Sequence, residues 1–529
     1  MRLVRSLPSL LLALGPANAF AQADASARFA TRPPPTLVVF LTVDQLRQDY
    51  FARYGPQLTG GLGRLYRGGA VFTNAFQDHA ITETAPGHAS TLSGRFPRGT
   101  GIVMNSAGVQ DQQAPLIDAQ GFGASPYRFR GSTLIDWLRS RDQRSRALSV
   151  SRKDRGAILP LGRAKQNVFW YAANGTFTTS RYYADTLPSW VRAFNTRHAP
   201  ATLVGATWTP LLAAAEYQEP DSVAAEAGGQ GFVFPHRLSD DPAQAALQLP
   251  EFPLMDERTL ELALSGLQAL DLGRGPQTDV LAISLSATDA IGHKYGPDSR
   301  ELHDQILRLD RTLGVFLDSL YRTRDSAGIV IALTADHGVA PFPEVRSRDP
   351  NAGARHVDLS AAVHSARASL ASAGADSMAF RFEDGVLYLD RARLTPGVNA
   401  EVVVRRFAAT VRAVPGVLRT DVPRTLARGD TVGDAVARRW LHMFPPDATP
   451  ELVVTLVPWS VWGLTTYAMH GSPHDYDAQV PVIFYGAGIK SGRYGEFARV
   501  VDMAPTLARV VRVPPTEPLD GRVLERALK

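Results

Sequence analysis

The chain has 529 residues, 45% of them hydrophobic, and a formal net charge of +5. That length exceeds one small domain and supports a large core. The mild charge, with no dense Lys/Arg stripe interleaved with aromatics, argues against a nucleic-acid duplex as partner. With no cysteine, disulfides and thiolate metal sites are excluded, and any metal must be held by His, Asp, Glu or hydroxyl groups.

At the N-terminus, "MRLVRSLPSLLLALGPANAFAQA" starts positive at Arg2 and Arg5, runs apolar from Leu10 to Leu14 and ends in small residues. This predicts a secretory signal over residues 1–23, cleaved near residue 19 or 23, and export to the periplasm. The apolar part is too short to span a bilayer, and no other run of about twenty apolar residues occurs, so no membrane partner is expected once the leader is removed. Residues 24–35, ending "TRPPP", read as an extended linker.

Four strand-like runs follow. "TLVVFLTVD" stops at Asp44, "DVLAISLSATD" at Asp289 and "GIVIALTADH" at Asp336 and His337, while "VPVIFYGAG" begins at Val480. Runs that are apolar throughout fit strands buried on both faces of a parallel sheet. Between them lie helical patterns such as "SRELHDQILRLDRTLGVFLDSLY". The expected class is α/β, a doubly wound and mostly parallel sheet, whose sites form beyond the carboxyl ends of the strands. Core segments are expected at 36–150, 277–345 and 456–529. Residues 151–276, rich in Pro, Gly, Ala and aromatics, and residues 346–455, with weaker strands such as "DGVLYLD", are expected to be insertions covering the active edge.

Several residues could carry chemistry. Asp289 and His293 are four apart and share one face if a helix begins there. Asp336 and His337 are neighbours, which a strand would point to opposite faces; a turn at Gly338 would let them act together. His470 and His474 lie in "MHGSPHDYD" just before the fourth run. With Asp44, these supply the carboxylates and imidazoles that suit zinc. Thr84, followed by Ala85 and Pro86, falls where a helix would start. There the dipole favours an alkoxide or a bound anion, although a threonine in that place also serves as a simple N-cap. His88, one turn further on, is expected to be structural.

Six motifs together, "TAPGHAST", "GIVMNS", "SRKDRGAILPLGR", "TDAIGHKYGPDS", "LTADHGV" and "HGSPHDYDAQVP", resemble the alkaline phosphatase superfamily, in particular its periplasmic threonine-nucleophile branch. The resemblance spans roughly residues 36–500. It implies two zinc ions per chain, one held by Asp289, His293 and His470, with His474 as the alternative to His470. The other would be held by Asp44, Asp336 and His337, with Thr84 as its reacting ligand. It also implies that Asn105, Lys153 and Arg155 contact the phosphoryl group, and that a monomer hydrolyses small phosphate monoesters through a phosphothreonine. A nucleotide pyrophosphatase or phosphodiesterase on the same site is the nearest alternative. An exported zinc- or phosphate-binding protein without activity is the alternative outside enzymes. The lack of a cysteine nucleophile disfavours a sulfatase.

Overall fold

The computed structural model describes residues 33–346, 353–426 and 433–529. The expected leader and most of the linker lie outside them. Nine strands form the central sheet. In chain order they are β1 (Leu37–Val43), β2 (Ala70–Phe76), β3 (Ala147–Ser151), β4 (Asn167–Tyr171), β5 (Phe177–Thr178), β6 (Asp279–Leu285), β7 (Ile329–Thr334), β8 (Val482–Gly486) and β9 (Gly492–Arg499). Across the sheet the order is β9-β2-β8-β7-β1-β6-β3-β4-β5.

Strand β1 sits in the middle, parallel to both β6 and β7. All three are buried along their whole length, which is why their sequences are continuously apolar rather than alternating. The register pairs Val43 with Leu285 and Thr42 with Thr334, so the three strands end level. The fourth apolar run departs from expectation: β8 is antiparallel to both β7 and β2. A strand buried on both faces reads the same in either direction, so composition could not tell. A second difference concerns the boundary at residue 150. β4 and β5 extend the sheet, so sheet residues continue into the segment expected as the first insertion.

Helices cover the faces. Arg300–Thr323 presents Leu302, Ile306, Leu309, Leu313, Phe316, Leu317 and Leu320 at helical spacing, all buried. Each such side chain contributes about 1.5–3 kcal/mol by leaving water. Its start is capped by Ser299, whose side chain accepts the Leu302 N–H, satisfying one of the orphan donors there. From the same helix, Asp304 accepts the Trp208 indole N–H at 2.6 Å and the Leu211 N–H at 2.6 Å. The irregular first insertion is thereby tied to the core.

The second insertion builds its own layer. Phe380–Glu383, Val386–Leu389, Leu452–Leu456 and Val417–Asp421 form a four-stranded antiparallel sheet. It is packed against Ser360–Ser372 and Ala400–Arg412 around a separate core containing Phe380, Phe407, Val411 and Leu452. A small cluster of Trp440, Met443 and Phe444 with Ala80, Ile81 and Met104 joins this unit to the loop ahead of Thr84.

Candidate active site

Because β1, β6 and β7 end level, the residues after them meet at one edge. Asp44 directly follows β1. Asp336 and His337 follow β7 by two and three residues. Asp289 and His293 lie on the short helix Ala287–Tyr295 that begins just past β6. Ionisable oxygen and nitrogen atoms converge there in two sets, Asp44–Asp336–His337 and Asp289–His293–His470, each with its atoms within 4.8 Å of one another. His337 Nε2 lies 3.3 Å from Asp44, 3.5 Å from Asp336 and 4.0 Å from Asp289, so the sets adjoin. In the other set, Asp289 Oδ1 lies 3.2 Å from His293 Nε2 and 3.7 Å from His470 Nε2.

The sharp turn after β7 lets Asp336 and His337 face one centre. Gly338 matters there through contact rather than a left-handed backbone: a Cβ on it would lie 2.1 Å from the Tyr476 carbonyl oxygen. Gly87 has a similar duty, since a Cβ there would lie 2.4 Å from the Asp336 carbonyl oxygen. It lets the helix Thr84–Thr91 press against the turn.

The histidines are oriented alike. Nδ1 of His337 donates to Gly338 O at 2.9 Å, that of His293 to Ala468 O at 2.6 Å, and that of His470 to Thr82 O at 2.8 Å. A carbonyl only accepts, so each Nδ1 carries the hydrogen and each Nε2 is turned toward the carboxylates. This is how metal-binding histidines are fixed. Asp44 and Asp336 are fully buried, with Lys153 Nζ 2.6 Å from Asp44, and carboxylates gathered this closely out of water are expensive unless cations face them. The donor set fits a pair of zinc ions.

Electrostatics follows the same geometry. Burial, with Asp289 nearby, pushes the Asp44 carboxyl up, but Lys153 and His337 outweigh both and hold it far below the usual range. Burial likewise opposes the charge of Asp289, and Lys153 and His293 reverse it. For His337, burial pushes down, yet Asp336, Asp44 and Asp289 raise it to about 9. His470, buried beside His337 and His293, falls well below its ordinary value and keeps a lone pair on Nε2.

Thr84 is the first residue of its helix, and Glu83 holds the N-cap position. Thr84 Oγ1 lies 3.5 Å from His337 Nε2 and 3.0 Å from Lys153 Nζ. Lys153 is almost fully buried and bridges the two sets, 2.6 Å from Asp44 and 2.7 Å from Asp289. Asn105 uses Oδ1 to accept the Ala85 N–H at 2.9 Å. Arg155 is partly exposed and sits 3.7 Å from its neighbour Asp154. His474 is directed elsewhere: its Nε2 bonds to Leu456 O at 2.8 Å. His88 is buried; its Nδ1 donates to the Thr84 carbonyl at 2.9 Å and lies 3.1 Å from Asp336 Oδ2, and its Nε2 lies 2.9 Å from Ser284 Oγ.

Three more residues belong here that the sequence reading did not single out. Gln45 has a left-handed backbone (φ 67°). It donates its N–H to Asp336 and its side-chain amide to Asp289, both at 3.1 Å. Arg152 lies 3.9 Å from Asp289; the three cations of "SRKDR" were a signal for it. Glu83 accepts the Asn105 N–H at 2.6 Å.

The family model for type I phosphodiesterase / nucleotide pyrophosphatase matches residues 38–385. Alkaline phosphatase PhoK from Sphingomonas sp is 31% identical over 94% of this chain and 92% of that protein. Alkaline phosphatase PafA from Elizabethkingia meningoseptica is 28% identical over 91% of this chain and 92% of that protein. The crystal structure of wild-type alkaline phosphatase PafA superposes with a TM-score of 0.86 at 26% identity, covering 94% of this chain and all of that one.

Proposed function

The chain belongs to the type I phosphodiesterase / nucleotide pyrophosphatase family, within the alkaline phosphatase superfamily; its likeness to alkaline phosphatases over nearly its full length makes it a phosphoric monoester hydrolase, and we propose that it works with two zinc ions and a covalent phosphothreonine on Thr84. The observation that carries this reading is the position of Thr84 Oγ1, 3.5 Å from His337 Nε2 at the junction of the two ligand sets.

Asp44, Asp336 and His337 would hold one ion, and Asp289, His293 and His470 the other. When bound, the pair would supply positive charge to the phosphoryl oxygens and lower the pKa of the threonine hydroxyl and of a water. The deprotonated Thr84 Oγ attacks phosphorus in line, and the bond from phosphorus to the leaving oxygen breaks. A water then attacks from the vacated side, breaking the bond to Thr84 and releasing phosphate. Such transfers depend chiefly on positioning and on neutralising charge. Lys153 Nζ, 3.0 Å from Thr84 Oγ1, is within reach of a phosphoryl group joined to that oxygen. Asn105, with Oδ1 occupied by the Ala85 N–H, has its amide donors left for a phosphoryl oxygen. Arg155, whose charge is felt at Glu83 beside Thr84, would add a second cation. A dianionic monoester gains more from two cations than a monoanionic diester does.

The leader-like N-terminus supports export to the periplasm. Among the described residues, no helix is long and apolar enough to cross a membrane. A monomer acting on small phosphate monoesters is the form we propose, and light scattering of the purified protein checks it. The description of the family model favours a second reading, hydrolysis of phosphodiesters at the same centre. Metal analysis combined with parallel kinetics on p-nitrophenyl phosphate and bis-p-nitrophenyl phosphate decides. Two zinc ions and a higher kcat/KM on the monoester are expected. A higher value on the diester would replace the first reading with the second, and two zinc ions with no turnover of either would leave a binding protein.

A further inference from the structure

Glu83 stands directly before Thr84 with an extended backbone, φ −117° and ψ 165°. Its carbonyl begins the helix by accepting the Gly87 N–H at 3.0 Å. A residue in that place ordinarily turns its side chain inward to cap the helix. Glu83 does not. Its Oε2 reaches to the neighbouring loop and accepts the Asn105 N–H at 2.6 Å. The capping work falls to Asn105 instead, whose Oδ1 takes the Ala85 N–H at 2.9 Å.

The two bonds form a cross-brace. Glu83 holds the backbone of Asn105, and Asn105 holds the backbone beside Thr84. Burial, with Asp384 nearby, pushes the Glu83 carboxyl up to about 7; above that pH it accepts the N–H as a carboxylate, the stronger kind of hydrogen bond. The brace fixes both ends of the Asn105 side chain: its root through the main-chain N–H, its carbonyl through Ala85. Only the Nδ2 donors remain uncommitted by these contacts. Glu83 also borders the loop of His470, since a Cβ on Gly471 would lie 3.8 Å from Glu83 Cγ. It lines a cleft of about 80 Å³ together with His470, Asp384 and Trp462.

We propose that Glu83 is a positioning residue that sets the Asn105 amide against the Thr84 hydroxyl through its bond to the Asn105 N–H. The proposal rests on the reading of Thr84 as nucleophile and of Asn105 as a hydrogen-bond donor to a phosphoryl oxygen. Donors aimed at developing charge act mostly in the transition state, and small displacements of such groups are costly. The consequence therefore falls on kcat more than on KM.

A double-mutant cycle tests it. Zinc-loaded parent, Glu83→Ala, Glu83→Gln, Asn105→Ala and the Glu83→Ala/Asn105→Ala pair are assayed on p-nitrophenyl phosphate. Glu83→Ala is expected to lower kcat about tenfold with KM changed less than about twofold. Glu83→Gln, which keeps an oxygen acceptor, should recover kcat to within about threefold of the parent. In the Asn105→Ala background, Glu83→Ala should cost less than about twofold. An equal loss in both backgrounds, or a Glu83→Gln variant as impaired as Glu83→Ala, overturns the proposal while leaving the roles of Thr84 and Asn105 standing. An Asn105→Ala variant with parental kcat overturns both the proposal and the reading beneath it. If Glu83→Ala does not fold, Glu83→Asp, which withdraws the oxygen by one methylene, enters the same cycle with the same criterion.

Discussion

At the carboxyl edge of the central sheet, Asp44, Asp336 and His337 are completely buried. In the second insertion the charged pairs Arg391–Glu401, Arg393–Asp376 and Arg393–Asp390 lie at the surface. Both regions are rich in charge, yet the physical weight of that charge differs. Exposed pairs are screened by water and contribute little. Buried carboxylates raise the cost of every uncompensated neighbour and polarise what lies between them. The insertion carries its own apolar core around Phe380 and Phe407, so its fold does not depend on its ion pairs. At the sheet edge the relation is inverted: backbone and apolar strands hold charges that would otherwise move apart.

The contrast can be broken most sharply at Thr84. Thr84→Ala should reduce turnover of p-nitrophenyl phosphate by about 10⁴-fold or more, with zinc content by atomic spectroscopy unchanged. Parental turnover would remove the covalent step. Next, Asp336→Asn should cut zinc content and lower kcat by at least about 100-fold, because it removes an anionic ligand while the volume is kept. Full zinc content in that variant would place the ion elsewhere. Third, Lys153→Ala combined with Arg155→Ala should reduce monoester kcat/KM at least about tenfold more than diester kcat/KM; equal losses would remove their assigned role.

A gentler lever is pH. In EDTA-treated protein, His337 carries a folded-state value raised from 6.5 to about 9. A raised value favours the folded state fully below pH 6.5, and this contribution disappears as pH climbs through about 9. The melting temperature of EDTA-treated protein should therefore fall across that window. Apparent zinc affinity should rise over the same window, because the ion must displace a proton from Nε2. A flat affinity from pH 7 to 9 would contradict this. The smallest effect is expected in the insertion. Arg391→Ala, which breaks exposed contacts to Glu401 and Glu451, should leave kcat and melting temperature at parental values. A measurable loss of activity would mean that the insertion's surface charge reaches the centre after all.

Strand ends were the most readable part of the chain. An unbroken apolar run that halts at a carboxylate is a strong pattern, and Asp44 and Asp336 lie just past such runs, whereas His337 needed the turn after β7 as well. The pair Asp289 and His293 required only helical spacing. Less was readable where function depends on the far end of a long or short-range side chain. Nothing local in "SRKDRG" says that Lys153 will fold back to span Asp44 and Asp289, since that depends on β3 lying beside β6. Gln45 hides because its task rests on a left-handed backbone, which glutamine does not advertise. The reversed direction of β8 escaped because burial on both faces erases any sign of orientation.

The anchoring of His470 has a bearing on how the protein comes into being. Its ring is pinned to the carbonyl of Thr82, 388 residues earlier in the chain. A growing polypeptide that stops short of that loop possesses Asp289 and His293 but lacks the third member of their set. Completing that set of donor groups thus waits on the last part of the chain, whereas Asp44, Asp336 and His337 are all present by residue 337.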